Sequence, residues 1–91
     1  ADFPQDGFSL AGGRVDEIAG ARAAVVVYRH GAHEIDLFVW ADRGAKLPAP
    51  TTRLGYHTVF WKRRDLDFAA VSDTEAAELN KFVSLVRAER E

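Results

Sequence analysis

His30, His33 and His57 are the side chains with the most direct chemistry in this sequence. Imidazole binds zinc and carries protons, and three converging rings could hold a metal ion. Their spacing does not bring them together on one element. His30 and His33 flank a short turn, and His57 opens a different segment. No H-E-x-x-H pattern occurs, and Glu34, beside His33, projects from the other side of a strand. The spacing therefore predicts no metal site. Ser72, His57 and Asp73 can be composed into a nucleophile, a base and an orienting acid. Ser72 lacks the strand-turn-helix setting of a nucleophile elbow, and a capping role already accounts for it. Asp65 and Asp67 form a carboxylate pair of the kind that does acid–base work when one member is buried. Beside the basic run Lys62-Arg63-Arg64 they read as solvated partners of Arg63 or Arg64. Gly12-Gly13 lacks the spaced glycines and following helix of a phosphate cradle. No catalytic or cofactor-binding residue is assigned, no cofactor is implied, and the chain is not expected to be an enzyme. Tyr28, Trp40, Tyr56 and Trp61 remain, either as core or as a binding surface. Binding is the functional class that survives.

Composition agrees with that reading. The chain has 91 residues, 47% of them hydrophobic and 29% charged, which describes one folded domain and argues against disorder. Its net charge is −2, with no basic stripe for a nucleic-acid backbone. Lys62, Arg63 and Arg64 read as a solvated hairpin tip. There is no Cys, hence no disulfide framework, thiol nucleophile or thiolate site. No stretch reaches the length of a membrane span. The start at Ala1-Asp2-Phe3, without Met, suggests a piece of a longer or processed chain.

The elements that must position these residues follow from pattern. Residues 1–7, with Pro4 and Gly7, read as a linker or disordered arm, and residues 8–91 as a single domain. Gly12-Gly13 reads as a turn before a strand from Arg14 to Ile18. Ala21 to His30 is rich in β-branched residues and pairs as a hairpin with His33 to Trp40. In the second strand His33, Ile35, Leu37 and Val39 share one face, and Glu34, Asp36, Phe38 and Trp40 the other. Residues 41–54 read as a loop broken by Gly44, Pro48 and Pro50. Tyr56 to Lys62 and Leu66 to Val71 form a second hairpin. Ser72 and Glu75 have capping-box spacing. Leu79, Phe82, Val83 and Val86 make one apolar stripe of a final helix. The fold class predicted is α+β: an antiparallel sheet of about four to five strands built from two hairpins, with one C-terminal helix on one face.

Two segments carry a family likeness. One is Ala24-Val25-Val26-Val27-Tyr28-Arg29-His30-Gly31-Ala32-His33-Glu34-Ile35-Asp36-Leu37-Phe38-Val39-Trp40. The other is Gly55-Tyr56-His57-Thr58-Val59-Phe60-Trp61, followed by Leu66-Asp67-Phe68-Ala69-Ala70-Val71-Ser72-Asp73 and by Glu78, Leu79 and Phe82 in the helix. Together, over roughly residues 14–86, they resemble the C-terminal extracytoplasmic domain of transmembrane anti-sigma factors of Gram-negative bacteria. Where that family has Trp-Pro after the second strand, Ala41 follows Trp40 here, and Ala69 stands where a bulky residue is frequent.

The resemblance implies a periplasmic regulatory or sensory domain on the inner membrane, acting through protein partners or by occluding a cleavage region. A sigma factor would be bound by a region absent from this sequence, and a missing transmembrane helix would supply the tether. No direct nucleic-acid contact is implied. The unpaired hairpin edges invite a homodimer. The alternative reading is a small-molecule or metal-binding sensor domain of another membrane protein.

Overall fold

The computed structural model describes residues 2–18 and 20–89. A short 3-10 turn at Pro4–Asp6 precedes the strands β1 (Ser9–Ile18), β2 (Ala21–His30), β3 (His33–Ala41), β4 (Thr51–Arg53), β5 (Tyr56–Arg63) and β6 (Leu66–Ser72), and the helix α1 (Ala76–Ala88) closes the chain. The strands form one six-stranded sheet in the order β1-β2-β3-β6-β5-β4. Every pairing is antiparallel. The fold is therefore α+β, with one or two strands more than expected.

The additional strand material lies where glycine and proline pointed to irregular chain. Gly12 and Gly13 do not make a turn: both lie inside β1, just past a register shift between Leu10 and Gly12. A bulge absorbs one extra residue without ending the strand, and a glycine tolerates the local distortion. Within residues 41–54, Thr51–Arg53 forms β4 on the outer side of β5. The tight turn at Leu54-Gly55 places both residues at positive φ, 53° and 81°.

Strand alternation sorts the side chains as the pattern requires. The rows Tyr28–Ile35–Ser72–His57, Val26–Leu37–Ala70–Val59 and Ala24–Val39–Phe68–Trp61 face the helix side. Helix α1 buries Leu79, Phe82, Val83 and Val86 against this face, joined by Phe8, Tyr28, Ile35, Leu37, Trp61, Phe68 and Ala70. Phe82 is the hub of the ring packing, 4.8 Å from Tyr28 and 5.4 Å from Phe8 between centroids.

Residues 2–7, within the stretch read from sequence as a linker or disordered arm, make defined contacts with the sheet and the helix. Phe3 and Phe8 pair through backbone hydrogen bonds of 3.0 and 3.1 Å, closing the 3-10 turn into a small hook. Phe3 packs on Tyr28 and Phe82, at centroid distances of 6.2 and 6.3 Å. Gly7 caps the turn at φ 87°, a conformation that disfavours side chains, and a Cβ there would lie in contact with the His30 ring at 3.4 Å. Two aromatic rings repay the entropy of ordering the hook, which the Pro/Gly composition does not reveal.

Candidate functional site

The three histidines lie at one end of the sheet, near the β2–β3 turn. His30 and His33 face each other in the register at this end, on the helix side. His30 stacks on Phe8 at 4.3 Å between ring centroids. Its Nδ1 lies 2.8 Å from the Gly7 carbonyl oxygen and its Nε2 lies 2.9 Å from Glu78 Oε1. Both partners are acceptors. A neutral imidazole carries one N–H and serves one of them, whereas the imidazolium serves both. One ring thus ties the hook, the end of β2 and the first turn of α1. His33 Nδ1 lies 3.0 Å from Asp73 Oδ1, holding the β2–β3 turn to the β6–α1 connection. His57 Nδ1 is 2.8 Å from Thr52 Oγ1, across the β4–β5 pair.

The three histidines therefore share one face and one end of the sheet but serve three different partners. Among the described residues, no group of three or more His, Cys, Asp or Glu side chains is arranged to hold a metal ion. Ser72, His57 and Asp73 do not form a relay. His33, not His57, contacts Asp73, and Ser72 is committed elsewhere.

Ser72 departs from the capping-box expectation. The N-cap of α1 is Glu75, which makes no side-chain cap. Ser72 is the last residue of β6, with 1% of its surface exposed. Its hydroxyl donates to the Glu34 carbonyl oxygen at 2.7 Å and accepts from the Thr74 N–H at 3.1 Å. The hydroxyl thus links β3 to β6 and turns the chain toward the helix. The spacing to Glu75 was right for a cap, but burial in the strand took the hydroxyl first.

Asp67 also departs from its expected role. It is fully buried, not solvated, and its partner is Lys62, not Arg63 or Arg64. The reason is register: Lys62 and Asp67 oppose each other on the face away from the helix. Lys62 Nζ reaches Asp67 at 2.9 Å and Asp42 at 3.1 Å. The hydrogen bond to Asp67 holds the Lys62 ammonium above its usual range, with Asp42 adding to the effect. The Gly44 N–H, then Lys62, pull the Asp42 carboxyl below its usual range.

The same face carries Glu34 and Asp36, two residues apart on β3. A hydrogen bond to Asp36 and the charge of that carboxylate raise the Glu34 carboxyl above the usual range. Arg14 reaches Asp36 at 3.4 Å from β1. Of the four aromatics singled out from sequence, Tyr28 and Trp61 are buried on the helix side. Trp40 is half-buried on the open face, and Tyr56 is 52% exposed. Trp61 stacks on Phe68 at 5.1 Å with an interplanar angle of 4°. The four rings form no common surface.

Asp2 and Glu89 both act on one ring. Burial raises the Tyr28 phenol above its usual 10.0, with the charges of Glu89 and Asp2 adding to it. The hook is the feature of this region that the sequence pattern does not show. Its one visible signal was Phe3 and Phe8 on either side of Pro4 and Gly7.

Among the described residues no helix is long and apolar enough to cross a membrane. Comparison of the chain with models of protein families, with characterised proteins and with solved structures finds no match.

Proposed function

We propose that this chain is the extracytoplasmic regulatory domain of a membrane-anchored anti-sigma factor, and that its fold keeps the segment leading into it closed. The sequence resemblance over residues 14–86 supplies the family. On this reading a membrane helix outside this sequence tethers the domain on the periplasmic side. A separate cytoplasmic region binds the sigma factor.

The observation that supports occlusion is the docked hook. Phe3 and Phe8 are held by Tyr28, Phe82 and His30, so residues 2–8 are anchored by the same core that holds the helix. Proteases cut extended chain, and cleavage of a docked segment waits for local opening. A partner or signal that loosens the core would therefore release the segment leading into it.

The test is limited chymotryptic digestion, read at Phe8, of the wild type, Phe3→Ala and Phe82→Ala. Phe3→Ala should speed cleavage at Phe8 while the helical circular dichroism is retained. Phe82→Ala should speed it further. Equal rates in all three proteins, with Phe82→Ala demonstrably destabilised, would end the occlusion reading.

A further inference from the structure

The two edges of the sheet differ in how they meet solvent. The β4 edge is three residues long and follows Pro48 and Pro50, a short edge of the kind that discourages pairing. The β1 edge is ten residues long, contains no proline and no lysine, and ends the sheet order without a neighbour. Among the described residues, only its beginning is covered. The Asp2 carboxylate accepts the Leu10 N–H at 2.9 Å, beside the bulge. From Gly12 to Ile18 the outer edge of the strand lies open, and Val15 at its middle is 64% exposed.

We infer that residues 12–18 of β1 pair with the same residues of a second copy, antiparallel, about a two-fold axis at Val15. This goes beyond the proposed function and does not depend on it. The argument is charge register. An isologous antiparallel pair must centre on one residue, which then faces itself. Centred on Val15, Arg14 lies opposite Asp16 of the other copy, and Asp16 lies opposite Arg14. Both cross-strand pairs are then of opposite charge, and the exposed valines meet at the axis. Centred on Arg14 or on Asp16, like charges face each other, which disfavours pairing. Gly12 then opposes Ile18 and Gly13 opposes Glu17, neither of which repels. The hook lies outside the paired stretch. The axis runs perpendicular to the sheet, so both helices lie on the same side of a continuous twelve-stranded sheet. Seven residues a side is a small interface, so the dimer is weak and concentration-dependent.

The absence of cysteine makes the register directly measurable. Sedimentation of the wild type should show a shift from monomer to dimer with rising concentration. Val15→Lys, at an exposed position, should fold normally by circular dichroism and weaken association by about tenfold or more, since two lysines would face each other. Single variants Arg14→Cys, Val15→Cys and Asp16→Cys, oxidised at equal concentration, locate the axis. Opposed residues have Cβ atoms about 4.5–5.5 Å apart and diagonal ones about 7–8 Å apart. Val15→Cys should therefore cross-link fastest. A wild type that stays monomeric throughout, association unchanged in folded Val15→Lys, or cross-linking no faster at position 15 than at its neighbours would each overturn the pairing.

Discussion

The helix-covered face of the sheet and its open face bury apolar residues in different ways. Under α1, Tyr28, Ile35, Leu37, Trp61 and Phe68 meet Leu79, Phe82, Val83 and Val86, so two layers exclude water from each other. On the open face, Val25 and Ala69 are each 1% exposed with no helix above them. They alternate in the register with Phe38 and Phe60, so Val25–Phe38–Ala69–Phe60 forms a row of small residues between larger ones. Polar groups border this row: Arg14, Glu34 and Asp36 toward one end, Asp42, Lys62 and Asp67 toward the other. The first face draws its stability from burial between layers. The second depends on lateral shielding and charge pairing, and so responds to pH.

Removing the hub of the helix face should have the largest effect. Phe82→Ala should cost about 3–5 kcal/mol of unfolding free energy by denaturant titration, because it opens a cavity under three other aromatic rings. A loss below about 1 kcal/mol would mean that the two faces do not differ in this way.

Ser72 lies at the boundary between burial and polar pairing. Ser72→Ala leaves the Glu34 carbonyl and the Thr74 N–H without this partner, and should cost about 1–3 kcal/mol on the same titration. Ser72→Thr, which keeps the hydroxyl, should recover part of it.

The open face sharpens the comparison through pH. The Asp42 carboxyl is lowered on folding, so its contribution is present above the ordinary value of 3.8 and is lost as pH falls through the lowered one. Asp42→Asn should reduce the melting temperature near neutral pH and leave it nearly unchanged in acid. Phe82→Ala should lose stability at every pH. A pH-independent effect of Asp42→Asn would remove Asp42 from the pH-sensitive network.

The smallest effect is expected at Glu34. Its carboxyl is raised, so the protonated form is favoured on folding; that contribution is full below the ordinary 4.5 and lost as pH rises through the raised value. Glu34→Gln should raise the melting temperature slightly near neutral pH, by removing a charge beside Asp36, and the gain should vanish in acid. A loss near neutral pH would show that the attraction of Arg29, opposite Glu34 in the β2–β3 register, outweighs the repulsion.

Much of this architecture was legible in advance. The alternation from His33 to Trp40 assigns residues 33–40 of β3 to their observed faces, and the stripe Leu79, Phe82, Val83 and Val86 is the buried face of α1. The elements that local pattern does not show carry ambiguous residues. Glycine serves a bulge as readily as a turn, so Gly12-Gly13 looked like a break. Three residues of β4 are too few to show a period. Phe3 and Phe8 showed no periodicity because their partners lie in β2 and α1. The candidate site was less legible than the fold. Its histidines were visible, but their partners are Gly7, Asp73, Glu78 and Thr52, in parts of the chain that no local pattern connects.

Local pattern alone establishes β2, β3, β5, β6 and α1, the face on which residues 33–40 of β3 lie and the apolar stripe of α1. Those properties repeat every two residues or every 3.6, and the repeat is set by backbone geometry within one element. Only the tertiary structure decided that β6 inserts between β3 and β5, that Ser72 turns to Glu34, that Asp67 is buried against Lys62, and that His30 joins the hook to the helix. Each of these joins residues from different strands or loops. Such partnerships form only when chain closure brings the groups together, and the loss of water on burial then selects which donor meets which acceptor.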